Sequence, residues 1–330
     1  MSRTDRFLLF WFLDDWILVL TTRNQYLPAP HSLAGPALLL ALLLVDSLHF
    51  VFARLLLPYA NPFLSALFVM AVGTLEVGIF GLLTGRLRVA LFTRHWPFFV
   101  AIGFCIGVST AISYSAVALI DPGTASILGK TSIVFGVALG IFWLGDRFSR
   151  LQMAGAALAL VGLVIVTFQP GDYLRVGSLL IVFSTLLYSI HTALTKRYGG
   201  GMDLLNFFFY RLLLTSLFLF AIAAIQGELA LPTTPTAWGL LVLAGTVDVV
   251  ISRTLYYIAL RRLDMSVFSI LLTAAPVAAI LWSFLLFDIF PNPRQLVGGG
   301  VVLAGVLLVT AAPLLVRRQQ KRQTAALAAD

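Results

Sequence analysis

Charged residues are scarce in this chain. Asp, Glu, Lys and Arg make up 11% of its 330 residues, where a soluble domain carries about a quarter. That deficit excludes a water-soluble globule and a solvated disordered chain alike. Cysteine is nearly missing: Cys105 stands alone in an apolar run, so the chain forms no internal disulfide and offers no Cys/His metal spacing. The sequence has no His-Glu-x-x-His pair and no Gly-x-Ser-x-Gly elbow, and the reading as an enzyme fails for want of such motifs. A phosphate loop is also lacking. Gly123 and Gly129-Lys130-Thr131 have five residues between the glycines, where the nucleotide-binding loop has four. ATP is thereby excluded as the energy source, and no cofactor or metal is expected.

Apolar residues are abundant: 60% of the chain is hydrophobic and its mean hydropathy is +0.99. Apolar runs of membrane-spanning length recur from end to end. They predict an all-α polytopic membrane protein of ten transmembrane helices, at 36–57, 61–85, 95–119, 122–145, 150–168, 176–198, 203–227, 235–260, 264–287 and 292–316. Breakers separate them: Asn61-Pro62, Asp121-Pro122, Pro170-Gly171, Gly199-Gly200-Gly201 and Pro291-Asn292-Pro293. Residues 1–35 read as an N-terminal extension. Its apolar stretch Phe7–Leu20, interrupted by Asp14-Asp15, is short for a span and reads as interfacial rather than as a cleaved signal.

With the N-terminus cytoplasmic, sixteen Lys and Arg fall in inner loops and tails, and only Arg54, Arg175 and Arg294 in outer ones. This asymmetry predicts both termini in the cytoplasm, ending in a basic tail at 317–330. The formal charge of +8 is thus a matter of membrane orientation and calls for no nucleic-acid partner.

The chain repeats itself. At an offset of 143, Tyr114 falls on Tyr257, Asp121 on Asp264, Ser126-Ile127-Leu128 on Ser269-Ile270-Leu271, Gln152 on Gln295, Gly155 on Gly298, Gly162 on Gly305 and Thr167 on Thr310. At 142, Ser47-x-His49 and Arg54 fall on Ser189-x-His191 and Lys196. Two halves follow, 36–168 and 176–316, each with five spans. An odd span count sends the second half into the membrane from the opposite side. Inverted repeats of this kind hold substrate between them near mid-membrane and rock to expose it alternately.

The segment from Leu144 through Gly-Asp-Arg-Phe-Ser and Arg150-Leu-Gln152 to Gly155 and Gly162 resembles the junction of the fourth and fifth helices in the drug/metabolite transporter superfamily, EamA-like branch. Asp264-x-Ser-Val-Phe-Ser269 resembles its junction of the eighth and ninth, and Arg211 its arginine early in the seventh. The resemblance covers roughly 36–316 and implies a secondary transporter of small metabolites. Val69 stands where the first half would carry the matching arginine, and Asp288-Ile-Phe-Pro lies one place out of register with Asp146. Lys130-Thr131 also resembles nucleotide-sugar carriers of the superfamily.

Ionisable groups within spans cost about 2.5–3.5 kcal/mol each at the bilayer centre on insertion scales, and by default face a polar interior. They are Asp46, His49, Glu76, Lys130, His191, Arg211, Asp248 and Arg253. Asp248, Ser252 and Tyr256 follow at i, i+4 and i+8 in the eighth span and would line one face toward substrate. Arg253, at 100° per residue, is expected about 140° from Asp248. Arg211 and Lys130 are candidates for an anionic substrate group, and Tyr114, Tyr257 and Trp282 for stacking on substrate. His49 and His191 are candidates for proton coupling, with Asp46 positioned to orient His49; Glu76 is a further candidate. The alternative for each is a satisfied core residue or a structural ion pair, with Asp248 paired to Lys130 or Arg211 and Glu76 to a cation. Pro276 is expected to bend the ninth span. The pairs Gly81/Gly85, Gly103/Gly107 and Gly136/Gly140 read as helix packing.

These features point to a gradient-driven or exchange transporter of small polar metabolites, foremost an amino-acid exporter of the bacterial inner membrane, acting as a monomer or weak homodimer among lipids. An organophosphate or nucleotide-sugar antiporter is the nearest alternative, and a non-transporting scaffold the alternative of another class.

Overall fold

A computed structural model describes residues 34–144, 149–167, 176–256, 272 and 274–327. The stretch Phe7–Leu20, Asp146, Tyr257 and Asp264–Ser269 lie outside the described residues. Within them, all regular structure is helical: α1 (Ala34–Asp46), α2 (His49–Leu56), α3 (Pro62–Leu83), α4 (Val89–Ala116), α5 (Pro122–Gly129), α6 (Ser132–Leu139), α7 (Arg150–Thr167), α8 (Val176–Tyr198), α9 (Leu204–Ile225), α10 (Pro235–Ala244), α11 (Ala275–Phe287) and α12 (Pro293–Leu327). Six stretches among the described residues are long and apolar enough to cross a membrane: Pro62–Leu83, Val89–Ala116, Pro122–Leu144, Val176–Tyr198, Leu204–Ile225 and Pro235–Tyr256. Arg150–Val166, Ala275–Phe287 and Pro293–Val309 are shorter apolar helices. Leu82, Leu83, Phe142 and Val297 turn outward and are largely exposed, as befits a surface solvated by lipid rather than water.

Helix starts follow from the turn chemistry. Asn61, Asp121, Asp203 and Thr234 are N-caps whose side chains accept from Phe63, Thr124, Asn206 and Ala237 N–H groups. Pro62, Pro122 and Pro235 stand just behind three of them, where a missing N–H costs nothing. Pro276 belongs to the same class. It lies in the first turn of α11, directly after the turn at Ala274, in keeping with the expected bend of the ninth span. The bend in α4 falls at His95, which leaves helical geometry at φ −123°, ψ 24° just before Pro97. Asp288 closes α11 in the left-handed conformation at φ 54°, a C-terminal position that a short polar side chain tolerates.

The repeated Gln-x-x-Gly motif resolves into two devices. At α7, the Gln152 side chain accepts from the Ser149 N–H at 2.8 Å while Ser149 Oγ accepts from the Gln152 N–H at 3.3 Å. At α12, Gln295 and Asn292 exchange the same two bonds at 2.8 and 2.9 Å. Each is a reciprocal capping box. The glycines then seat α7 against α12 backbone to backbone. A Cβ on Gly155 would stand 2.6 Å from the Gly305 carbonyl oxygen, and one on Gly305 2.5 Å from that of Gly155; Gly162 and Gly298 face each other in the same way, at 2.7 and 3.0 Å. Each glycine meets the repeat mate of the other, the self-complementary relation of a two-fold contact. Thr74 and Ser216, related by the offset of 142, likewise bond to each other across α3 and α9 at 2.9 Å.

Glycines Gly103 and Gly107 press α4 onto Leu214, Thr215 and Phe218 of α9, whereas nothing lies within 4 Å of Gly136 or of Gly85, a left-handed turn residue. The main apolar core gathers Phe52, Leu67, Met70, Tyr114, Leu212 and Val249, drawn from α2, α3, α4, α9 and the π-helical segment after α10.

Candidate functional site

Among the departures from regular α-helix, three fall at charged residues within the spans. The first span breaks at Ser47-Leu48, between Asp46 and His49. Ser47 Oγ donates to the Leu44 carbonyl at 2.8 Å, and the Leu48 N–H tightens onto Val45 at 3.1 Å. The fourth breaks at Lys130-Thr131 by the same means: Thr131 Oγ1 donates to Leu128 at 2.7 Å, and the Lys130 N–H reaches Ile127 at 3.0 Å. In both, a hydroxyl on the preceding turn competes with the helical ladder. The eighth span winds as a π-helix over Gly245–Ile251, around Asp248. Gly245 lets that widened turn approach α3, since a Cβ there would stand 2.6 Å from Val72. Such irregularities recur at functional sites.

Two ionic links join the first span to the eighth. His49 Nδ1 lies 2.8 Å from Asp248 Oδ2, and Arg253 Nη2 donates to Asp46 Oδ1 at 2.9 Å. The His49 side chain is 27% exposed and that of Asp248 only 2%, so the imidazole is the accessible member. Three buried polar atoms around this pair find no hydrogen-bond partner among the described residues: Asp248 Oδ1, Ser252 Oγ and Tyr114 Oη. The Tyr114 ring meets that of His49 edge-on at 5.8 Å, and its hydroxyl feels the charge of Asp248. Lys130 interacts electrostatically with Asp46 and Arg253. The Tyr256 ring lies 5.6 Å from the Arg253 guanidinium. Trp282 Nε1 donates to the Leu44 carbonyl at 3.3 Å, two residues from Asp46.

Several pairings differ from those expected. Asp248 pairs with His49 rather than with Lys130 or Arg211, and Asp46 turns to Arg253 rather than orienting His49. Glu76 has no cation at ion-pair distance among the described residues; it accepts from Thr246 Oγ1 at 2.6 Å. The expected 140° between Asp248 and Arg253 assumed an unbroken α-helix. A helix bonded i→i+5 brings residues five apart toward one face, so both side chains meet the first span, where Asp46 and His49 are three apart and also share a face. This is why sequence reasoning left Arg253 outside the site. The available signal was that both spans carry an acid followed by a base, Asp46 and His49 in the first and Asp248 and Arg253 in the eighth.

Arg211 and His191 form a separate set. Arg211 is 6% exposed, its Nε has no hydrogen-bond partner among the described residues, and its guanidinium lies over Phe208 at 5.4 Å. The structure gives it no carboxylate at ion-pair distance among the described residues. His191 is also buried, its ring lies 5.3 Å from that of Tyr188 at a tilt of 52°, and it feels the charge of Arg211. His49 and His191 therefore occupy unlike surroundings. An offset of 143 puts Cys105 opposite Asp248, so the second histidine has no acid to meet.

An open depression of about 330 Å³ lies elsewhere, lined by Arg54, Asp121, Phe290 and Gln295 among others. Its polar groups are committed: Arg54 Nη1 donates to the Val117 carbonyl at 2.6 Å and Asp121 caps α5.

An all-helical molecule with lipid-facing apolar sides and ionic links buried between irregular spans is an integral membrane protein of the carrier type. The EamA-like transporter family model matches it twice, over residues 33–168 and 175–311, and the chain belongs to that family, whose members are transporters and not enzymes. A protein of Streptantibioticus cattleyicolor named as a probable terminal-alkyne amino-acid exporter is 28% identical over 194 residues, 57% of this chain and 63% of that protein. A Synechocystis protein named as an uncharacterized transporter is 22% identical over 210 residues, 60% of each chain. The matches thus span about three fifths of these relatives. A solved crystal structure shares the fold, with TM-score 0.60 over 85% of this chain and 98% of that one at 21% identity.

Proposed function

We propose that this chain is a secondary transporter that exports amino acids or related small zwitterions by alternating access. In this reading ten helices form two inverted five-helix repeats, 36–168 and 176–316, in a bacterial inner membrane with both termini cytoplasmic. It works without ATP or cofactor, by exchange or an ion gradient. Substrate binds where the first and eighth spans meet, its ammonium group at Asp248 and its anionic end at a basic group beside it.

The observation that carries this reading is the cluster of Asp46, His49, Lys130, Asp248 and Arg253, of which Asp248 is buried and the others partly so, together with Asp248 Oδ1, which has no partner among the described residues. With His49 neutral, two acids balance two bases. Low dielectric penalises any ligand that upsets that balance. A zwitterion preserves it, a simple amine adds a charge, and a phosphate ester adds up to two of the other sign. The cluster therefore favours amino acids over organophosphates. The name of the Streptantibioticus relative agrees.

The test is counterflow of radiolabelled propargylglycine, a terminal-alkyne amino acid, in proteoliposomes. Wild type should exchange it. Asp248→Asn keeps the side chain's shape and removes its charge; it should lose at least 10-fold in rate while the purified protein still folds, as its thermal unfolding in detergent will show. Unimpaired exchange by Asp248→Asn would remove the acid from the site.

A further inference from the structure

We infer that Arg253 is the receptor for the substrate carboxylate, and that Asp46 is an internal stand-in for that carboxylate, released when substrate binds. The inference rests on the amino-acid reading above and names the partner of the substrate's anionic end, which the sequence had assigned to Arg211 or Lys130.

The geometry supplies three reasons. First, Arg253 shares with Asp248 the face that meets the first span, whereas Arg211 faces Phe208 and His191 and touches neither link. Second, the spacing fits. Five residues along a helix rise about 7 Å. An α-amino acid spans about 3 Å from ammonium to carboxylate oxygen, and a hydrogen bond of about 2.8 Å at each end extends its reach to about 8–9 Å. One zwitterion can therefore bridge Asp248 and Arg253. Third, both bonding positions exist in the closed cluster. Asp248 Oδ1 is buried with no donor among the described residues, ready for an ammonium. The guanidinium already holds a carboxylate, that of Asp46, at 2.9 Å. An arginine fork binds substrate carboxylate as it binds an aspartate, so the incoming group replaces like with like.

The exchange has a mechanical consequence. Asp46 ends α1 at the break before α2, and Arg253 follows the π-turn. While they are paired, the first and eighth spans are tied at this level. Substrate takes over Arg253, frees Asp46 and unties them. Tyr256 beside the guanidinium and Trp282 beside the Leu44 carbonyl flank the place where an amino-acid side chain would extend.

The experiment measures binding by the full-length protein in nanodiscs, with three probes: propargylglycine, its methyl ester and its N-acetyl derivative. Wild type should bind the free amino acid at least 10-fold more tightly than either derivative. Asp46→Asn removes the competing carboxylate and should tighten propargylglycine binding about 10-fold while leaving the ester unchanged. Arg253→Gln should erase discrimination between acid and ester. The double variant Asp46→Asn/Arg253→Gln removes both charges together, which protects folding, and should behave as Arg253→Gln does. Unchanged affinity in Asp46→Asn, or persistent preference for the free acid in the double variant, would overturn the assignment while leaving the amino-acid reading intact. Failure of wild type to bind propargylglycine at all would overturn both.

Discussion

The α7–α12 crossing offers a direct test of the packing argument. Replace Gly162 by alanine. Its Cβ would stand 2.5 Å from the Val302 nitrogen and 2.7 Å from the Gly298 oxygen. Both are backbone atoms, so no rotamer change can relieve the contact. Restoring ordinary separations of about 3.5 Å requires the two helices to part by roughly 1 Å. Overpacking of this kind costs about 1–3 kcal/mol, offset by up to about 1 kcal/mol from alanine's better helix propensity. The expected outcome is a net loss of about 1–2 kcal/mol, read as earlier thermal unfolding of the purified protein in detergent. Gly300→Ala is the control: nothing lies within 4 Å of that position, and the substitution should be neutral or slightly stabilising. The facing pair adds a sharper criterion. One separation of the helices accommodates a methyl on both Gly162 and Gly298, so the double variant should cost less than the two singles together. Gly162→Ala as stable as Gly300→Ala, or strict additivity in the pair, would refute the backbone-to-backbone crossing.

Two further predictions concern orientation and protons. Single cysteines at Asn61 and Glu228 should react with an impermeant thiol reagent from outside the cell, and those at Arg88 and Arg197 should not; native Cys105 is buried and should give little background. Labelling of Arg88→Cys from outside would reverse the assigned topology. His49→Gln takes away the ring that meets Asp248 and the proton it would carry if it couples transport, while Asp46, Lys130, Tyr114, Asp248 and Arg253 around it remain. Transport should then vary less with pH between about 5 and 8, and an unaltered profile would assign His49 to packing.

Helix positions were legible because their signals are local. Asn61-Pro62, Asp121-Pro122 and Thr234-Pro235 each combine a cap with a proline at N1, and the apolar runs between them need no tertiary information. The repeat was legible too, but its meaning was not. Gln152 and Gly155 form a recognisable motif in the sequence, yet only the backbone reveals that one caps a helix and the other admits α12. The departures from regular helix were invisible for a physical reason. Ser47 and Thr131 look like ordinary polar residues within apolar spans, and a π-turn has no reliable sequence mark. The 100° step set Asp248 and Arg253 apart, and they do bond to different partners, but it gave no sign that both partners lie on the first span. The sequence singled out His49, Asp248, Lys130, Asp46 and Arg253 as charges needing a reason; that they lie together, and which pairs with which, depends on the meeting of the first and eighth spans, which no local signal marks.

What the repeat keeps and what it drops also bear on mechanism. The scaffold positions match across the halves: the two capping boxes, the facing glycines and the Thr74–Ser216 bond. They must match, because a two-fold contact is self-complementary only if both partners present the same surface. The charged positions do not. The same offsets put Cys105 opposite Asp248, Thr110 opposite Arg253, Tyr188 opposite Asp46 and Val69 opposite Arg211. The first and eighth spans thus carry two ionic links, while their counterparts α8 and α4 meet through the neutral serines Ser184, Ser109 and Ser113, bonded at 2.6–2.9 Å. A ligand with a positive and a negative end has no two-fold axis of its own. A symmetric site would offer it two equal orientations and a doubled buried charge. Concentrating the charges on one side of a symmetric frame gives a single binding orientation and leaves the other side free to pack. A symmetrised variant makes the point testable: Cys105→Asp puts an acid at the position the repeat matches to Asp248, on the helix α4 that meets α8, the helix of His191, through the serines. If His191 and Arg211 are a structural set kept apart from transport, the added carboxylate should pair with them, raise thermal stability and leave propargylglycine affinity as in wild type. A large change in that affinity would instead join His191 and Arg211 to the substrate site.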